Sequence, residues 1–127
     1  DAFHYPNWYG LGEGLWLEPI APFAYLNHSC DPNCMIIGSE CTALRDIQPG
    51  QELTFDYSTS DDCELWEMEC NCHSPKCRKI VRSIQFLPKE IYQSYLPHIG
   101  PYFQRVYENA ERCAERISVS SVAERKA

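Results

Sequence analysis

Leu26-Asn27-His28-Ser29-Cys30-Asp31-Pro32-Asn33 is the stretch on which the reading of this chain turns. It packs two side-chain amides, an imidazole, a hydroxyl, a thiol and a carboxylate into eight residues, with a single leucine and a single proline to hold them. Strands that build a core favour β-branched and aromatic residues, so such a polar cluster does not read as one. Two later segments read as its partners: Glu52-Leu53-Thr54-Phe55-Asp56-Tyr57, and Cys70-Asn71-Cys72-His73-Ser74-Pro75-Lys76-Cys77.

The cysteine spacing separates metal from disulfide. Cys70-x-Cys72-x4-Cys77 sets three of the chain's eight thiols within eight residues. Thiols this close converge readily on one tetrahedral ion with Zn–S of about 2.3 Å, whereas a disulfide framework usually ties distant segments together. The spacing therefore favours zinc, and with it a reducing compartment. Cys30, Cys34, Cys63 and His73 all stand open as the fourth ligand on spacing alone.

Length and charge narrow the partners. A chain of 127 residues makes one domain with one core. No apolar run approaches the ~20 residues of a membrane span and no signal-peptide pattern opens the sequence, so the expectation is a soluble intracellular protein with no membrane partner. The formal net charge of −7 argues against direct nucleic-acid binding, whose affinity comes from Lys and Arg neutralising phosphates. A basic peptide is the partner it favours.

Residues 1–24 are rich in aromatics, glycine and proline without a 3.6 or 2.0 period, and read as irregular segments and turns. Gly10-x-Gly12-x-Gly14 reads as a flexible turn and not a phosphate loop, since no apolar strand precedes it and no capped helix follows. Cys34-Met35-Ile36-Ile37 and Cys41-Thr42-Ala43-Leu44 flank Gly38-Ser39-Glu40 as a hairpin, Gln48-Pro49-Gly50-Gln51 suits a type II turn, and Leu53-Thr54-Phe55 resumes a strand. Three short antiparallel strands are expected there. Residues 58–69 read as an acidic loop. Pro88 opens a helix that carries Ile91, Tyr92 and Tyr95 and closes at Pro97; Pro101 opens a second, whose apolar stripe runs from Tyr102 to Ile117 before a polar tail that frays.

Taken together and in this order, Asn27-His28-Ser29-Cys30, Phe55-Asp56-Tyr57 and Cys70-x-Cys72-x4-Cys77 resemble the C-terminal half of a SET domain with its post-SET zinc segment, the fold of most protein-lysine methyltransferases. The resemblance covers about residues 24 to 80. It implies a mostly β fold of short antiparallel strands with C-terminal helices, organised as 1–24, an irregular segment; 25–62, the SET C-terminal half; 63–80, the post-SET cysteines; and 81–127, a helical extension. It also implies S-adenosylmethionine as cofactor, with Asn27, His28 and Tyr57 lining its site.

By the same resemblance, Tyr57 is the catalytic residue that orients the acceptor amine, and Phe55 lines the substrate channel, where the lack of a hydroxyl leaves room for two or three methyl groups. Cys30 completes a structural zinc site with Cys70, Cys72 and Cys77, while His73 stands where the family usually has glycine. The implied substrate is a lysine of a basic protein, with histone tails as candidates and a nuclear location if the source is eukaryotic, cytoplasmic otherwise. Only 12 residues separate Gly14 from Asn27, so the family's N-terminal half reads as missing or shortened: either a fragment lacking that half, or a shortened relative completed by another chain or a dimer partner, or one that no longer binds the cofactor. The alternative is an inactive, zinc-stabilised SET-like module that binds a peptide or partner.

Overall fold

A computed structural model describes residues 8–126, with side chains to 120. Eight short strands precede two helices: β1 (Tyr9–Gly12), β2 (Leu15–Leu17), β3 (Asn27–His28), β4 (Cys34–Ile37), β5 (Glu40–Ala43), β6 (Thr54–Phe55), β7 (Glu67–Glu69), β8 (Ile80–Arg82), α1 (Lys89–Tyr95) and α2 (Pro101–Lys126). This is the expected mostly β architecture with C-terminal helices. Among the described residues the strands pair two by two.

β4 is the central element. Successive side chains of a strand point to opposite faces, and here both faces are covered, which explains why Cys34–Ile37 carries no alternating polar residue. Met35 packs with Ile84, Leu87, Tyr92, Tyr95, Ile99, Phe103 and Tyr107 in a core shared with both helices. Ile36 faces the other way, into a smaller core with Tyr9 and Phe55. β4 therefore joins the helical core to the aromatic group beneath the polar cluster. A third core gathers Cys30, Cys70 and Val81.

The β4–β5 hairpin has the expected antiparallel register, Ile36 opposite Cys41, and Gly50 sits at φ 86° in the Gln48–Gln51 turn. Four expectations need correction. First, the glycine-rich segment is not irregular throughout: Tyr9–Gly12 and Leu15–Leu17 form an antiparallel hairpin, too short and too glycine-rich to give a period. Gly14 at φ 75° lies in its turn and Gly12 at φ 92° ends β1 beside it, whereas Gly10 is a strand residue opposite Trp16, so the turn reading holds for the last of the three glycines. Second, Thr54–Phe55 does not extend an antiparallel set; it pairs in parallel with Asn27–His28. Third, the acidic 58–69 stretch begins as a 3-10 turn over Tyr57–Ser60 and ends as β7, which pairs with β8. Fourth, the polar tail continues helical to Lys126: once the packed first turns have met the cost of nucleation, each further residue adds one backbone hydrogen bond. The apolar stripe divides: Phe103 and Tyr107 are buried, whereas Ile117 is 71% exposed.

Candidate active site and metal centre

The polar cluster is held open by its own side chains. Asn33 Nδ2 donates to the Glu52 carbonyl at 2.8 Å and its Oδ1 accepts the Thr54 N–H at 2.9 Å, so one buried amide substitutes for two ladder bonds and fixes β6 beside the cluster. The Asn33 carbonyl takes the Leu44 N–H at 2.8 Å, tying in the β5 hairpin as well. Asn33 thus bonds to residues about 20 positions away and not to its own turn. The turn itself is made by Ser29, whose Oγ accepts the Asp31 N–H at 3.0 Å.

Pairing of β3 with β6 brings His28 against the residue that follows Asp56. The Tyr57 N–H donates to His28 Nδ1 at 3.1 Å, so a neutral ring carries its proton on Nε2, which lies 3.3 Å from Cys30 Sγ. Burial, with Arg78 adding, lowers the imidazole's pKa against the pull of Asp56, which favours that neutral form. Both ring nitrogens are thus committed to the scaffold. Asn27 is exposed, and its Nδ2 donates to Glu52 Oε1 at 2.6 Å.

Tyr57 is half-buried. Its hydroxyl donates to the Leu26 carbonyl at 2.7 Å, and burial, followed by the Glu52 carboxylate, raises its pKa, so it is a neutral phenol at physiological pH. Its ring tilts against Phe55 at 4.8 Å and stands edge-on to His28 at 5.3 Å. Phe55 is 1% exposed and meets Tyr9 edge-on at 5.3 Å, so it forms the wall behind Tyr57. Tyr9, whose hydroxyl donates to the Phe23 carbonyl, has its pKa pushed up to about 12 by burial, with Tyr57 and Cys41 contributing.

The sulfurs of Cys30, Cys70, Cys72 and Cys77 all lie within 4.8 Å of one another. A tetrahedron with Zn–S of about 2.3 Å has edges of about 3.8 Å, and Cys30 Sγ to Cys70 Sγ is 3.8 Å. Cys34 and Cys63 lie outside this group, as does His73. The Arg78 N–H points at Cys30 Sγ at 3.4 Å, and the His28 ring at the same atom, so the donor set has polar support of the kind that orients metal ligands.

A second polar centre escaped the sequence reading. Asp56 has no exposed surface and accepts two hydrogen bonds from Arg78, at 2.6 and 2.8 Å, one from the Tyr95 hydroxyl at 2.7 Å and one from the Ser58 N–H at 3.0 Å. Burial alone would raise its pKa; Arg78, through hydrogen bonds and charge, then Tyr95 and His28, hold it below the usual carboxylate value. The available signal was an Asp between two aromatics at a strand end, which demands a cation, and an Arg directly after the last clustered cysteine. Nothing local joined them across 22 residues.

Residues 1–58 match the family model described as SET domain. Histone-lysine N-methyltransferase TRX1 of Oryza sativa subsp. japonica is 42% identical over 69 residues, 47% of this chain and 6% of that protein. Histone-lysine N-methyltransferase 2B of Homo sapiens is 37% identical over 65 residues, 45% of this chain and 2% of that protein. Probable histone-lysine N-methyltransferase set-23 of Caenorhabditis briggsae is 41% identical over 68 residues, covering 43% and 27%. The chain therefore spans little more than a quarter of the longest-covered of these relatives and a few percent of the others. These matches, beside the clustered cysteines and the pairing of Asn27–His28 with Thr54–Phe55, make residues 1–58 similar to the SET-domain family. The matched residues begin at position 1 and so include the β1–β2 hairpin. No described helix is long and apolar enough to cross a membrane.

Proposed function

We propose that this chain is the cofactor- and metal-binding half of a protein-lysine N-methyltransferase, which transfers a methyl group from S-adenosylmethionine to a lysine of a basic protein, with a histone tail as the first substrate to try. The observation that carries this reading is the parallel pairing of Asn27–His28 with Thr54–Phe55, which seats Tyr57 against the Asn-His segment while Cys30 of that segment joins the thiols of the following one.

The residues fit the groups the reading requires. Cys30, Cys70, Cys72 and Cys77 would hold zinc; four thiolates leave no open position, which makes the ion structural. With zinc bound, these four cysteines would fasten the cysteine segment to the β3–β6 pair through Cys30 and help keep water from it. Both His28 nitrogens are engaged, so Asn27, exposed and with its Nδ2 given to Glu52, is the side chain of the pair whose Oδ1 is left for the cofactor. The cofactor supplies an electrophilic methyl group on a sulfonium.

The rest falls to this chain and its substrate. A lysine ammonium, with a pKa of about 10.4, is not a nucleophile until it loses its proton, and a dry aromatic channel lowers that pKa. Tyr57, itself a phenol with raised pKa, is not the base; the ammonium gives its proton to bulk water as it leaves solvent for the channel. Because its hydrogen is given to Leu26, the phenolic oxygen keeps its lone pairs for an amine N–H, which orients the nitrogen for in-line attack. Phe55 offers no hydroxyl to hold water behind the amine, so two or three methyl groups fit.

Transfer of labelled methyl from S-adenosylmethionine to recombinant histones and basic peptides tests the reading. Wild type should label lysine, while Tyr57→Phe and Asn27→Ala should not; labelling that survives Tyr57→Phe would remove Tyr57 from the mechanism. The histone reading carries a nuclear location with it.

A further inference from the structure

Deepening that reading, and resting on it for the partner's identity, we propose that an apolar cleft one ring away from Tyr57 receives an arginine side chain of the substrate protein. The cleft holds about 200 Å³ and is walled by Tyr9, Leu17, Ile20, Phe23 and Ile36, between the end of the β1–β2 hairpin and the β4–β5 turn. Tyr9 links it to the site, since its ring lies against Phe55 and Phe55 lies against Tyr57.

Size, apolar surface and charge select the occupant. Pockets for whole cofactors and drug-sized ligands run to roughly 300–1,000 Å³, so this one suits a single side chain. Its mouth leaves Ile20 80% and Phe23 45% exposed, apolar surface that a long aliphatic stem would cover. Glu18 and Glu40 also line it, both are exposed, and among the described residues neither carboxylate has an ion-pair or hydrogen-bond partner.

A side chain with an apolar stem and a cationic head satisfies all of this: stem along Leu17, Ile20 and Ile36, head at the rim between the two carboxylates. Arginine fits better than lysine. Its planar fork serves two carboxylates at once and stacks on rings such as Phe23 and Tyr9. The substrate is therefore a segment with an arginine near the methylated lysine.

The test uses short fluorescein-labelled Gly/Ser peptides with one lysine and one arginine at varied spacing, or citrulline in place of arginine, titrated into the zinc-loaded chain and read by anisotropy. At the preferred spacing, citrulline should weaken binding by about tenfold, the scale of one charge-assisted contact. The double variant Glu18→Gln/Glu40→Gln should erase that difference, while Glu64→Gln/Glu67→Gln, which removes the same charge elsewhere, should leave it. Equal loss in both doubles, or no preference for arginine in wild type, overturns the cleft and points to general steering by the acidic surface. Methyl transfer, assayed separately, tells the two readings apart: arginine preference without transfer would support the cleft and count against the enzyme, and transfer without preference would sink the cleft alone.

Discussion

Asp56 and Arg78 meet as a bidentate pair, Oδ2 to Nη1 at 2.6 Å and Oδ1 to Nη2 at 2.8 Å, in a place where Asp56 sees no solvent. The pair joins the start of the turn that opens with the candidate catalytic tyrosine to the end of the cysteine segment, since Arg78 directly follows Cys77. Tyr95 of α1 closes it from the third side at 2.7 Å.

Removing Arg78 leaves a buried carboxylate uncompensated. Arg78→Met should cost about 3–5 kcal/mol in urea unfolding of the zinc-loaded protein at neutral pH. The pH dependence follows from the sign of the shift. In wild type Asp56 lies below its ordinary value, so its contribution is present above an unfolded pKa of about 3.9 and is lost as pH falls through the lower folded value. In the variant burial goes unopposed by Arg78 and raises the folded pKa, so protonation relieves the penalty. The deficit relative to wild type should narrow as pH falls toward about 4; a deficit independent of pH would mean that packing, and not charge, was lost.

Gly10 lets the N-terminal hairpin touch the site. A Cβ at this position would overlap the Ser60 carbonyl, the end of the turn that begins at Tyr57. Because the obstruction is backbone, Gly10→Ala should destabilise by about 1–3 kcal/mol and shift the Tyr57 resonances in an NMR spectrum. Unchanged spectra would detach the hairpin from the site.

His73 occupies left-handed backbone at φ 58°, where most side chains crowd the following carbonyl. His73→Gly should stabilise the loaded protein by about 1 kcal/mol with no change in zinc content, since His73 lies outside the group of four sulfurs. Loss of metal in this variant would make His73 a ligand.

The four thiols predict one zinc per chain by elemental analysis. Cys30→Ser should lower the content and loosen the cysteine segment, while Cys63→Ser and Cys113→Ser, both at exposed positions, should leave it unchanged. Chelation should unfold β7, β8 and the segment between them first, because binding energy of a structural zinc is folding energy. Full metal content in Cys30→Ser would break the link between the Asn-His segment and the cysteines.

What the sequence revealed was chemistry that sits close together along the chain. Three cysteines within eight residues announce a metal, Pro88 and Pro101 announce helices, and Cys34–Ile37 announces a strand by its unbroken apolar run. Cys30 entered the site by family resemblance alone, because no spacing rule reaches across 40 residues. The parallel β3–β6 pair could not be read, since two-residue strands have no period and Asn33 supplies by side chain what a longer ladder would supply by backbone. Asp56, Arg78 and Tyr95 were not joined for a related reason: Asp56 between two aromatics calls for a cation, but its partners lie 22 and 39 residues away and only the fold brings them together.

On this reading these residues bind S-adenosylmethionine and Tyr57 then orients an amine beside it. Calorimetric titration of the zinc-loaded chain with S-adenosylmethionine, repeated on Tyr57→Phe, tests this most directly. Both proteins should show saturable one-site binding, with methyl transfer reduced at least about 100-fold in the variant. No binding to a folded, zinc-loaded wild-type chain would contradict it.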